Sequence, residues 1–288
     1  MASEKDIRYA SGGDADLLLD IYPPPAPSKR AAILYFHGGG WRGGARDHMR
    51  PDARAMAGHG FVGLPVQYRL LGQAPFPAQI EDVKAAIRWT RANADRLGID
   101  EDRIILWGSS AGAHLALLAA GAPDDPRFEG AGGNPGVSSA VAAVIAVHPP
   151  TEFHLGDPSG RGTTPATSLL GESDAATAAA ASPITYARED FPPTLLLHGT
   201  QDRMVNHAAS QAMFEALRAA RAPVDLHLFQ GHNHGFAAIP SVRRLVAAEA
   251  AYFLDRMLID PAGHQAEAEE FSIFARRAAD ARAAPAVG

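Results

Sequence analysis

The stretch LWGSSAGAHLA, residues 106–116, places two adjacent serines where an apolar run turns directly into a helical pattern. A nucleophile on such a turn is lifted off the sheet by a strained backbone, and the turn closes only if its neighbours are small. Counted from Ser110, the residues two before and two after are Gly108 and Gly112, giving G-x-S-x-G. Counted from Ser109 they are Trp107 and Ala111, and an indole does not fit the crowded position. Ser110 is therefore the candidate nucleophile. The blander reading of the same residues is a small-residue contact between strand and helix.

Working outward, apolar strand-like runs alternate with longer helical patterns, the mark of a mostly parallel sheet covered on both faces. Strands are expected at residues 17–22, 31–36, 61–67, 104–107, 140–147, 194–197 and 224–229. Ile80, Val83 and Ile87 recur at helical spacing in residues 77–98, which end on Gly98 as a stop. The helix after Ser110 is expected to stop at Gly121. Two segments break the alternation, residues 121–139 and 148–183, and both are expected to lie over one end of the sheet as pocket walls. The expected organisation is a single α/β domain over residues 1–260 and an alanine-rich helical tail over 261–288, with Phe271, Phe274 and Ala278 on one face. That face could dock on its own core or on a second copy, making a homodimer possible.

The chain has 288 residues, 47% hydrophobic and 20% charged, enough for one sizeable core. Its net charge of −6, with both signs interspersed, offers no basic field for nucleic acid. With no cysteine, disulfides and a thiolate nucleophile are excluded. No signal-like or membrane-spanning run is seen, so a cytoplasmic protein is expected.

A second glycine motif, YFHGGGWRGG at residues 35–44, follows the strand at 31–36. Attack on an acyl carbon drives negative charge onto the carbonyl oxygen, and backbone N–H groups already aimed at that charge stabilise the transition state. Gly38 and Gly39 are the expected donors, joined by the amide of Ala111. A phosphate-binding loop is the other reading of a glycine run, but the P-loop lysine is missing. His37 beside the glycines is expected to shape the loop.

A serine hydroxyl needs a neutral histidine as base, and that histidine needs a carboxylate to orient it. In the hydrolase arrangement the acid follows the serine and the histidine comes last. Residues 192–205 carry Asp202 after an apolar run, and residues 224–236 carry His232 and His234 after another. His234 is preferred as base, with His232 the other candidate by position. An H-x-H metal pair would need further ligands that the sequence does not fix, so neither metal nor cofactor is expected. Asp202 as a helix cap is the bland alternative.

Taken together, HGGGW, YRL with APFPAQIEDVKAAIRW, GSSAGAHLA, ASPITYA, LLLHGTQD and GHNHGF resemble the α/β-hydrolase superfamily, in particular the bacterial feruloyl-esterase-like group related to hormone-sensitive-lipase-type esterases. The resemblance runs from about Leu17 to Leu258 and implies the same assignment: Ser110 nucleophile, Asp202 acid, His234 base. The sequence departs from that pattern at Ser109, where related lipases often carry Asp, and at HPPTEF, residues 148–153, where relatives tend to have Gly-Pro-Thr-Asp. Ser109, His148, Trp41 and Phe153 are expected to line the substrate pocket. The implied activity is hydrolysis of small carboxylic esters. An amidase or arylformamidase with the same three residues and a non-catalytic ligand receptor are the alternatives.

Overall fold

The structure is a computed structural model, and it describes residues 2–13, 15–25, 27–123, 125–155 and 164–272. In chain order the strands and helices are β1 (Glu4–Gly12), β2 (Ala15–Ile21), β3 (Ala32–Phe36), α1 (Arg50–Ala57), β4 (Val62–Val66), α2 (Ala78–Ala92), α3 (Ala94–Leu97), β5 (Ile104–Ser109), α4 (Ala111–Gly121) and β6 (Ala143–Val147). Then come β7 (Phe153–His154), β8 (Thr164–Pro165), α5 (Ala175–Ala181), β9 (Thr194–Gly199), α6 (Ala208–Ala219), β10 (Val224–Phe229), α7 (Pro240–Leu254) and α8 (Pro261–Glu270).

Eight strands form one sheet in the order β1-β2-β4-β3-β5-β6-β9-β10, and β7 and β8 pair separately. From β4 to β10 every pairing is parallel, while β1 and β2 join antiparallel at the edge. The central strands are buried on both faces because both alternate sets of side chains are apolar. On β5, Ile104 and Leu106 pack with α2 and α4, while Ile105 and Trp107 pack with α1 and α7. This is the α/β-hydrolase fold, with helices on both sides of a mostly parallel sheet.

Several expectations are corrected here. The first strand, β1, lies outside the expected set; EKDIRYASG is polar and its register to β2 slips twice, so its strand signal is weak in sequence. The helix at 77–98 divides at Asn93, whose side-chain amide donates to the Trp89 carbonyl at 2.9 Å and competes with the backbone. Gly98 does adopt the left-handed stop, with φ 66°. Gly121 is the last residue of α4 rather than the residue beyond it, and it is needed for space, since a Cβ there would meet Tyr186.

The segment at 121–139 is the larger correction. It runs from the end of α4 to the start of β6, at the amino ends of the parallel strands, and Glu129 anchors it to Lys84 and Arg88 on α2. It therefore sits away from Ser110 and lines other cavities. Phe274 and Ala278 lie outside the described residues, as does the middle of the 148–183 segment. No helix among the described residues is long and apolar enough to cross a membrane.

Candidate active site

Ser110 occupies the turn between β5 and α4 with φ 53° and ψ −117°, a region that costs roughly 1–3 kcal/mol and persists only when surroundings impose it. Here they do. The Ser110 amide donates to the Val147 carbonyl at 2.9 Å, and the Ser110 carbonyl accepts the first turn of α4 from the His114 amide at 3.0 Å. Gly112 lies against the Phe36 carbonyl, so any side chain there would push α4 off the sheet. The sharp turn thus depends on the small residues that the motif supplies.

Three loops at the carboxyl ends of β5, β9 and β10 converge. His234 Nε2 lies 3.0 Å from Ser110 Oγ, and His234 Nδ1 lies 2.6 Å from Asp202 Oδ2. The ring can hold its proton on Nδ1 for the carboxylate and leave Nε2 free to accept the serine proton. His232 takes no part: its ring rests against Phe229 and Phe236, and its carbonyl accepts the Gln201 amide at 2.9 Å.

Asp202 is buried, which opposes its ionisation, yet bonds from His198, His234 and the Val205 and Met204 amides outweigh this and hold the carboxyl well below the ordinary range. Its Oδ1 accepts from the Met204 and Val205 amides at 2.8 and 2.9 Å, leaving Oδ2 for His234. His198 steadies this loop, with Nε2 donating to the Val205 carbonyl at 2.9 Å and Nδ1 accepting from Ser210 at 2.7 Å. Asn233 Oδ1 accepts from both the Arg203 and His234 amides, tying the acid loop to the base loop. Neither His198 nor Asn233 was marked as a support by sequence; the i to i+4 spacing of His198 and Asp202 is the signal that could have found the first.

The amides of Gly38, Gly39 and Ala111 meet no acceptor among the described residues. Ala111 opens α4, where an N–H has no partner within the helix. Gly39 has φ 122°, and a Cβ there would strike the Gly43 carbonyl. The loop is braced by His37, whose Nδ1 donates to the Gly38 carbonyl at 2.7 Å beneath the stacked ring of Tyr68. Burial pushes the His37 imidazole down to about 4, so the brace is neutral.

On the α4 and α5 side, Trp41 is 3% exposed and donates to His114 Nδ1 at 3.2 Å, while His114 Nε2 donates to the Ala181 carbonyl at 2.8 Å. Phe153 packs on both rings. On the α1 and α7 side, Ser109 and His148 line a cavity of about 330 Å³ that Trp41 and Phe153 do not reach. His148 has φ 43°, and its ring centroid lies 4.0 Å from that of His234. Burial, then the neighbouring His234 and His198, push the His148 imidazole well below the usual histidine range. His148, Asp202 and His234 also bring ligand atoms within 4.8 Å of one another. An ion held there would occupy His234 and oppose its use as a base.

The BD-FAE family model matches residues 19–217. The chain belongs to the BD-FAE family. This BD-FAE chain is 35% identical over 272 residues to esterase LipQ of Mycobacterium tuberculosis, covering 86% of this chain and 61% of the relative. It is 31% identical over 266 residues to esterase LipC of the same organism, covering 87% and 64%. The chain thus spans less than two thirds of the length of these curated relatives. Among solved structures, the propionate-bound esterase Est2 of Thermogutta terrifontis is 29% identical, with a TM-score of 0.77, covering 89% of this BD-FAE chain and 95% of that one.

Proposed function

We propose that the protein is a serine carboxylesterase that hydrolyses small carboxylic esters through an acyl-enzyme. The observation that carries this reading is the unbroken relay from Ser110 Oγ through His234 to a fully buried, ionised Asp202. His234 Nε2 removes the Ser110 proton as Oγ attacks the ester carbon, and the amides of Gly38, Gly39 and Ala111 receive the charge on the carbonyl oxygen. Collapse of the tetrahedral adduct breaks the bond to the alcohol, which takes the proton from His234. Water then repeats the sequence on the acyl-serine and returns the carboxylic acid.

Propionate in the Thermogutta terrifontis relative and the modest cavity lined by Gly38, Gly39 and Ser109 support short acyl groups. The relay is tested with paraoxon, which phosphorylates that same relative. The reading expects stoichiometric loss of esterase activity with the adduct on a peptide containing Ser110; an adduct elsewhere, or none, contradicts it.

We also propose that two copies associate through the α7 and α8 region, where Leu245 and Tyr252 are exposed. Truncation after Leu258 should then halve the mass in solution, and an unchanged mass rules the tail out of the contact.

A further inference from the structure

The cavity on the α1 and α7 side of the nucleophile is unlike an ordinary acyl slot. Its wall at Gly38 lies against Ser110, since a Cβ built on Gly38 would sit 3.2 Å from Ser110 Cβ. Trp107, Val147 and Met49 give it apolar walls that can take a short carbon skeleton. Among them stand His48, Asp52, Ser109, His148 and Arg243. Its volume is at the low end for a small-molecule site, where a few placed polar groups set orientation.

Two features say which polar group fits. Arg243 Nε donates to Asp52 Oδ1 at 3.1 Å, and both side chains are mostly buried, so the charges cancel locally. A charged ligand would have to break that pair, whereas a hydroxyl can donate to a carboxylate and accept from a guanidinium at once. The second feature is place: Gly38 and Gly39, the expected oxyanion donors, line the same cavity, so a small ester held at those amides has the Asp52–Arg243 pair within the same volume.

We propose that this cavity receives an uncharged, hydroxyl-bearing part of the ester substrate, so that the protein prefers hydroxylated short-chain esters to their alkyl counterparts. The inference rests on the esterase reading above and names the substrate class of that same site. Asp52 and Arg243 set the preference, while Ser110, His234 and Asp202 perform the chemistry.

The test compares kcat/KM within two matched pairs. One pair, p-nitrophenyl 3-hydroxybutyrate against p-nitrophenyl butyrate, puts the hydroxyl on the acyl side. The other, 2,3-dihydroxypropyl butyrate against propyl butyrate, puts it on the alcohol side. In at least one pair the hydroxylated ester should be favoured about tenfold or more, chiefly through KM, because a site that binds a hydroxyl disfavours the analogue lacking it. The double variant Asp52→Leu, Arg243→Met removes both charges together. It should bring the ratio within each pair to about one, whereas loss of a merely structural tie between α1 and α7 would slow both members of a pair alike and leave the ratio unchanged. Should that variant fail to fold, Asp52→Asn is read in its place and should lower the preference. Ratios of one or less in both pairs for the wild type overturn the proposal, as does a preference that survives intact in a folded double variant. Absence of turnover on all four esters overturns the esterase reading and this proposal with it.

Discussion

The two flanks of Ser110 are built on opposite principles. Toward α4 and α5, Trp41, His114 and Phe153 interlock, and both His114 nitrogens are bonded, one to Trp41 and one to the Ala181 carbonyl. Toward α1 and α7 lies a cavity lined by Gly38, Ser109, Asp52 and Arg243, and the buried His148 ring has neither nitrogen paired among the described residues. Two buried, neutral histidines in the same fold thus do different work. One closes a packed wall beside the loop at 37–44; the other packs on the His234 ring with both nitrogens enclosed. One side of the serine is packed and the other holds the cavity proposed to select the substrate.

The contrast breaks most readily at the relay both flanks serve. Asp202→Asn keeps the shape but favours the wrong tautomer of His234, and kcat should fall by about four orders of magnitude. A loss under tenfold in steady-state assays would detach Asp202 from the chemistry. Chain length probes the open flank. With a cavity of about 330 Å³, p-nitrophenyl butyrate should exceed p-nitrophenyl laurate in kcat/KM by roughly tenfold or more, and faster turnover of the laurate would contradict a small pocket.

Acid sharpens the comparison, because buried neutral histidines lie on both flanks. Burial lowers His37 and His114 to about 4, and His148 is lowered too. The unfolded chain therefore binds more protons than the folded one as pH falls from about 6.5 toward 4, and stability is lost over that window, by on the order of 3 kcal/mol for each of His37 and His114. Asp52 acts in the opposite sense. Burial raises it to about 6 despite Arg243, so the folded state takes up that proton first and gains stability as pH falls through 6. Three histidines outweigh one carboxylate, and the urea midpoint should be lower at pH 5 than at pH 7. An equal or higher midpoint at pH 5 would refute the balance.

The smallest effect belongs to the packed flank. His114→Leu leaves the Trp41 N–H and the Ala181 carbonyl buried without partners, at about 1–3 kcal/mol each. The melting temperature should drop by several degrees while the preference between hydroxylated and alkyl esters stays put. A shift in that preference would show that the flanks are not independent.

How much of this was legible in the sequence follows from where each signal is local. Ser110 declares itself through Gly108 and Gly112, which the turn requires within two residues on either side. Asp202 and His234 each follow an apolar strand, so their placement comes with the sheet. The polar cavity had no such signature, because Asp52 and Arg243 meet across 191 positions of chain, between α1 and α7. His114 reads as one more residue of an apolar helix until its two partners are seen. The segment at 121–139 misled because glycine and proline announce a loop without saying which end of the sheet it covers. β1 was missed since its register slips and its polar residues blur the period of two.

The central claim is that Ser110 is the nucleophile of an esterase. The most direct measurement is hydrolysis of p-nitrophenyl butyrate by the wild-type protein and by Ser110→Ala, side by side and without added metal. The account predicts turnover by the wild type and a fall of roughly three to six orders of magnitude in kcat for the variant. Equal rates for the two proteins would contradict it.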